Sequence, residues 1–406
     1  TNGSMTSDST DPPAEIFLII HDIEQSTATL FRSDGKCSTI PLGTDGPDYG
    51  RISRVTIALD VRAVIVRTDN GDEIIAELPL TDGGECQHGR PVVYLDQNHW
   101  NTLANALHAP GRVRGTDELS AAQALIALVR SRGVILPISG GHLSETAKWS
   151  DDARRYQLGL TMYQLSGGWH MVDPLDIRRR EIRNTLAARY RKENVPTAHG
   201  VFRLAADAVR GETRGVKPYE PPSDLPDDDR TLLAGLVPLL ANIATVLDKD
   251  AIPVDHEPAW AEGMQRFTDW LAAEPTDLKH LRQSRTGVLF RQDTSKEIAE
   301  EAHRSGITVE QFGEWLRDHA DADIGFMPML GLYREALREK VANPGTRWEP
   351  NDLFDLMYLA CAAGYADYVV GERSATAQLR QASKRLGRSP RLYNSLVGLM
   401  GDLAAT

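Results

Sequence analysis

The sequence predicts an α/β fold in three layers around a central parallel sheet, preceded by a β-rich module and split by a large, mainly helical insertion. Three observations carry that prediction. Two apolar runs, Val92-Val93-Tyr94-Leu95 and Val134-Ile135-Leu136-Pro137-Ile138, each lead through polar or glycine residues into a helical pattern, as buried parallel strands do. A third run, Tyr368-Val369-Val370, follows a long apolar helical stretch and closes on Gly371-Glu372. Ahead of these, residues 15–89 alternate apolar and polar positions between turn signals, the signature of antiparallel strands.

In chain order, residues 1–14 read as a tag remnant, Thr1-Asn2-Gly3-Ser4 before Met5, and a polar disordered tail. Residues 15–89 form the β-rich module, with strands at Ile16 to Ile20, Thr27 to Arg32, Val55 to Leu59, Ala63 to Arg67 and Glu73 to Leu78. Turns at Ser33-Asp34-Gly35 and Asp69-Asn70-Gly71 punctuate it. Residues 90–150 supply the first part of the core and residues 348–406 the second. Between them, residues 151–347 are the helical insertion, with a Pro- and Asp-rich linker at Lys217 to Asp229 and a capping-box start at Ile307-Thr308-Val309-Glu310. Met329 to Val341 continues as an amphipathic helix.

The 406 residues are 41% hydrophobic and 25% charged, which sets the chain among globular proteins of two or three domains. Cys37, Cys86 and Cys361 are an odd set without metal spacing, and the expected setting is a reducing cytoplasm. The apolar stretch Thr231 to Leu247 is broken by Gly235, Pro238 and Asn242. It is expected to fall short of a membrane span and to form a buried helix pair or one kinked helix. No G-x-S-x-G, P-loop, H-E-x-x-H or paired C-x-x-C occurs, which removes serine hydrolases, P-loop NTPases and common zinc enzymes from the front rank.

Acids stand where these elements meet. Asp96 ends the first run, at a strand's carboxyl end. Glu145 shares a helix face with His142 after Gly140-Gly141, and Asp352 and Asp355 share the first turn of the helix running to Ala363. Asp367 and Glu372 bracket the last strand. Each has an ordinary reading too: Asp96 and Asp352 as helix caps, Glu145 as a solvated residue, Asp367 as a structural acid, His99 and His142 as packing histidines. Converging carboxylates repel one another unless a cation neutralises them, and an all-oxygen set suits Mg²⁺ or Mn²⁺.

Taken together, a hydrophobic strand ending in Asp, a Glu on a later helix, a helix opening with Asp and a last strand ending in an acid resemble the PIN-like domain, a metal-dependent nuclease fold. The likeness spans roughly 90 to 110 residues, Val92 to Trp149 plus Glu349 to Arg391. It implies catalytic acids at Asp96, Glu145, Asp352, Asp355 and Glu372, and metal ligands among Asp96, Glu145, Asp355, Asp367 and Glu372. The third acid falls on Asp355 or Asp352, and Glu372 stands where the family usually has Asp. About two hundred residues separate Glu145 from Asp352. The implied activity is an endoribonuclease using metal-activated water, with bacterial toxin or phage-defence roles and an antitoxin or defence-system partner. A homo-oligomer is compatible with it, and no membrane is expected.

A net charge of −12 argues against a protein that coats nucleic acid non-specifically. Basic residues nevertheless cluster locally. Arg178, Arg179, Arg180, Arg183, Arg189, Arg191 and Lys192 crowd one helix, and Arg380, Lys384, Arg385 and Arg388 follow Glu372. Arg179, Arg180, Arg183, Arg380, Lys384 and Arg385 are the expected substrate-binding residues for RNA, with a solvated face or internal salt bridges as the alternative. Two rival functions remain at this point: a catalytically silent nucleic-acid or protein binding module, and a hydrolase of small phosphorylated molecules.

Overall fold

The computed structural model describes residues 14–42, 49–79, 87, 89–191, 200–211, 215, 217, 219–248, 260–274, 281–343 and 345–404. The tail before Ala14, Cys86, Lys192 and part of the Lys217 to Asp229 linker lie outside the described residues.

The amino-terminal module is a six-stranded antiparallel sheet: β1 (Ile16–Asp22), β2 (Thr27–Arg32), β3 (Cys37–Pro41), β4 (Ile52–Ala58), β5 (Ala63–Thr68) and β6 (Glu73–Glu77), in the order β3-β2-β1-β4-β5-β6. Strand β3 was not expected from sequence. All five of its residues are exposed, so no buried face imposes an apolar alternation, and backbone pairing with β2 alone makes it a strand. One face of the opposite half, with Val55, Ile57, Val64, Val66, Ile74 and Ala76, packs onto the rest of the protein.

The chain then enters a second, parallel sheet. Strand β7 (Val93–Leu95) leads into α1 (Gln97–His108), α2 (Thr116–Arg130), α3 (Gly140–Ala147), α4 (Asp152–Ser166), β8 (His170–Met171), α5 (Pro174–Tyr190) and β9 (Phe202–Arg203). Helices α6 (Asp227–Leu247), α7 (Trp260–Ala272), α8 (Arg282–Arg304), α9 (Val309–Glu314), α10 (Ala320–Phe326) and α11 (Pro328–Ala342) follow. The chain closes with α12 (Asp352–Tyr365), β10 (Tyr368–Val370), α13 (Arg373–Arg385), β11 (Leu392–Tyr393) and α14 (Leu396–Leu403).

Strands β11, β10 and β7 form a small parallel sheet. Single parallel bridges, Val92 to Ile135 and Ile138 to His170, extend it on the other side of β7. The run from Val134 to Ile138 joins by single bridges rather than as a full strand because Pro137 has no N–H to give to a ladder. Alternate residues face opposite layers: Val92, Tyr94, Ile135 and Val369 pack with α5, α8, α11, α12 and α13, while Val93, Leu95, Leu136, Ile138, Tyr368 and Val370 pack with α1, α2, α4, α6, α14 and the amino-terminal sheet. The molecule is thus mixed α/β, with an antiparallel sheet and a small parallel one.

The segment from 151 to 347 is less separate than its composition suggests. Helix α4 packs on α1 and β6, β8 joins the parallel set, and α11 packs on α12 and α13. Those elements belong to the core, and α7, α8 and α10 build outward from α5 and α11. Helix α6 runs unbroken through Pro238, and by length and composition it is the one helix among the described residues able to cross a membrane, against the expectation from its interrupted sequence. Its Leu236, Leu239, Leu240, Ile243 and Leu247 are buried, and it packs on α4.

Candidate functional site

Parallel strands send all their carboxyl ends to one edge, and the ends of β7 and β10 lie side by side there. After β7 the chain turns to α1 and eventually to the Ile135 side, whereas after β10 it turns through α13 to β11 on the opposite side. Connections that diverge from neighbouring strands leave a crevice between them, and such crevices are the usual ligand sites of parallel sheets. Asp96 and Glu372 stand at its two lips, and Asp96 N donates to Val370 O at 2.9 Å.

Asp96 is also the cap of α1, with Oδ1 accepting from His99 N at 3.1 Å and lying 2.5 Å from His99 Nδ1. Burial alone would lower the His99 imidazole, but the hydrogen bond and charge of Asp96 outweigh it and raise its pKa. Glu372 caps α13 without spending its carboxylate on that helix, and Asn98 Nδ2 donates to Glu372 Oε1 across the crevice. Glu145 on α3 and Asp355 on α12 meet directly. Burial, then the Asp355 charge and their mutual hydrogen bond, push Glu145 up to about 8, and Asp96 adds to the effect. Burial raises Asp355 to about 6, with Asp352, Asp96 and Glu372 contributing repulsion. Asp355 and Glu372 are exposed, so the acids line an open crevice, and solvent screening tempers the rise at Asp355.

Three helices, α1, α12 and α13, begin at this crevice, and their partial positive ends offset some of the crowded negative charge. A splint under the floor fixes the acids. Ser139 N donates to His142 Nδ1 at 3.1 Å, and His142 Nε2 donates to Leu95 O at 2.8 Å, just before Asp96. Burial holds His142 down at about 4, so the ring is neutral and its two nitrogens serve as one acceptor and one donor. Gly140 is required here, since a Cβ would lie 2.4 Å from Val209 O and 2.8 Å from the Tyr358 hydroxyl.

Asp96, Glu145, Asp355 and Glu372 are thus gathered from four distant segments, with Asp352 beside them. Asp352 serves the helix start: Lys340 Nζ lies 2.5 Å from its Oδ1, and its Oδ2 accepts from Glu349 N at 2.6 Å. Asp367 is elsewhere, at the amino end of β10, where its Oδ2 accepts from Val92 N at 2.8 Å. Among the described residues no three acids, histidines or cysteines surround a single point as a bound ion's ligands would. Asp96 is turned to His99, Glu372 to Asn98 and Glu145 to Asp355. By donor type the four suit a hard divalent cation, because they are mutually repelling oxygen donors.

The expected basic residues are largely spent on structure. Arg179 pairs with Glu300 at 2.6 Å and Glu301 at 3.2 Å, and Arg183 with Glu301 at 3.1 Å. Arg180 is half-buried beside Gly200 and Arg203. Arg380 donates to Leu392 O at 2.7 Å, Arg385 pairs with Glu339 and, at 3.7 Å, Glu335, while Lys384 is exposed. Arg380 to Arg385 also lie roughly 10–20 Å along α13 from Glu372 at the helical rise per residue. The acids that neutralise the α5 arginines come more than a hundred residues later, out of sight of any local count. Residues that sequence reading passed over are Asn98 and Lys148, whose Nζ donates to Asn351 Oδ1 at 2.7 Å. Their only signal was proximity: Asn98 two after Asp96, Lys148 three after Glu145.

No family model, curated protein or solved structure matches this chain.

Proposed function

We propose that the protein is a divalent-metal-dependent phosphodiesterase, an endoribonuclease of PIN-like type, with its site in the crevice between the ends of β7 and β10. The observation that carries this reading is the meeting of Glu145 and Asp355, within electrostatic reach of Asp96, where the charge of Lys148 offsets only part of the repulsion at Glu145. Folding does not concentrate like charges at a strand edge for stability, and such a cluster is a functional signature. Asp96, Glu145, Asp355 and Glu372 would hold Mg²⁺ or Mn²⁺. When bound, that ion supplies Lewis acidity and neutralises charge on the phosphate.

The chain's own residues do the positioning. His99 holds the Asp96 carboxylate from behind, and Asn98 orients Glu372. His142 locks the strand end to α3, so that Asp96 and Glu145 move together. Lys148, tied to the start of α12, fixes the distance between the two walls. The PIN-like reading is further supported by the order of the motifs and by the parallel pairing of the strands that deliver Asp96 and Glu372.

The test is cleavage of labelled total RNA, tRNA and single-stranded DNA by the purified protein with Mg²⁺, Mn²⁺ or EDTA, alongside Asp96→Asn. Metal-dependent cutting lost in the variant is the expected result. Intact nucleic acid under every condition would overturn the reading.

A further inference from the structure

We propose that two copies of this chain pair face to face through the outer surface of the six-stranded sheet, an inference independent of the phosphodiesterase reading. Cross-strand partners in a ladder share a face, so the strand registers sort the side chains. Val55, Val66 and Ile74 point into the body of the molecule, and their neighbours along each strand point outward. The middle row of the outer face runs Thr39, Thr29, Ile20, Thr56, Ile65, Ile75 from one edge of the sheet to the other, without a charge. Leu18 and Phe31 pair in the row beside it. Leu18, Ile20, Phe31 and Ile65 are half-buried and Ile75 is 53% exposed, and among the described residues none of the five belongs to or packs against either apolar core. A solvated sheet face is ordinarily polar, so this one is apolar surface still to be covered.

The face is complementary to itself. In a pair related by a two-fold axis that runs along the strands between β1 and β4, β1 of one copy lies over β4 of the other, β2 over β5 and β3 over β6. Each large side chain of one copy then meets a small one of the other: Leu18 faces Ala58, Ile20 faces Thr56, Ile65 faces Thr29 and Ile75 faces Thr39. Such alternation lets two sheets interdigitate. The charged row is complementary too. Asp22 and Arg54, paired at 2.7 Å within one copy, each meet the opposite charge of the other copy. An axis across the strands would instead set this charged row over Leu18 and Phe31.

The face is also large enough. Its strands, about 4.8 Å apart with about five residues each at about 3.4 Å, cover roughly 500 Å² per copy. A pair therefore buries about 1,000 Å², the least that a specific interface needs, and its dissociation constant is expected on the order of micromolar. The body that carries the acid crevice packs on the other surface of the sheet, away from the paired face.

The test is the mass of the full-length chain by sedimentation equilibrium as its concentration is raised through the micromolar range. The expected result is a shift from one chain to two. Ile20→Lys should weaken the pairing about a hundred-fold or more, by setting unpaired charge at the centre of the interface, and Ile20→Thr about ten-fold, with circular dichroism unchanged in both. Asp22→Arg and Arg54→Asp should each self-associate far more weakly than the wild type, since each sets like charges face to face, whereas an equimolar mixture of the two should form the mixed dimer. Each chain keeps its own fold in the mixture, so the recovery reports pairing between copies. A wild type that stays monomeric at every concentration would overturn the proposal and leave the face to another partner. A dimer indifferent to the Ile20 and charge-reversal variants would place the interface elsewhere and overturn it as well.

Discussion

Between α5 and α8 the crowded carboxylates Glu297, Glu300 and Glu301 each face a guanidinium, whereas in the crevice above β7 and β10 Glu145 and Asp355 face one another. Arg178 reaches Asp293 at 3.2 Å and Glu297 at 2.5 Å, and Arg179, Arg183 and Arg304 converge on Glu301. In the crevice the nearby lysines are already turned to Asn351 and Asp352. The two regions use the same residue types. What separates the two regions is whether the facing element supplies the counter-charge in full.

The largest expected effect tests the crevice side. Asp96→Asn and Asp355→Asn each remove a charge while keeping the shape, and metal-dependent cleavage should fall by about three orders of magnitude or more with the circular dichroism unchanged. Retained cleavage would break the comparison, because the unneutralised acids would then have no work that distinguishes them.

On the other side, Arg178→Ala leaves Glu297 buried beside its lost partner. Truncating one member of a buried pair costs about 3–5 kcal/mol, read as a lower unfolding midpoint in urea. The fraction that stays folded should cut RNA normally. A small cost would mean that the arginines of α5 are dispensable to the fold and free for substrate after all.

The crevice should respond to neutralisation in the opposite direction. Glu145 has a folded-state pKa raised from an ordinary 4.5 to about 8 by burial and by Asp355. For a carboxyl raised in this way the folded state holds the proton more tightly than the unfolded chain. Stability from this group is therefore full below about pH 4.5 and is lost as pH rises toward 8. Glu145→Gln should raise the melting temperature of the metal-free protein by more at pH 8.5 than at pH 5. Mg²⁺ or Mn²⁺ should raise it in the wild type, by about 2.7 kcal/mol of added stability at a hundred times the dissociation constant, and by much less in the variant. Melting curves at the two pH values, with and without ion, sharpen the comparison to a sign.

The difference between the two regions also explains what the sequence could tell. Asp96 and Glu372 were legible because a parallel strand advertises its end: an apolar run stops and an acid follows. Glu145 and Asp355 were legible from helical spacing and position. Their contact with each other was not, since it depends on α3 and α12 packing together from segments about two hundred residues apart. The α5 arginines misled for the same reason, as Glu297 to Glu301 lie on a helix whose partner no local pattern names. Strand β3 escaped because an exposed edge needs no alternation. Within 151–347, α4 and α11 carry the composition of insertion helices, yet α4 packs on α1 and α11 on α12 and α13, contacts that no local pattern names.

The smallest effect concerns Asp367, a third way for a carboxylate to be resolved. Its oxygen accepts from the Val92 amide at the amino end of the sheet, a strand's length from the crevice. Asn keeps an acceptor oxygen of the same reach and gives up only the charge. Asp367→Asn should therefore cost on the order of 1 kcal/mol or less and leave cleavage and its metal dependence unchanged. A loss of activity comparable to that of Asp96→Asn would mean that the sheet's two edges are coupled through β7, and that a backbone-satisfied acid can matter to chemistry as much as an unneutralised one.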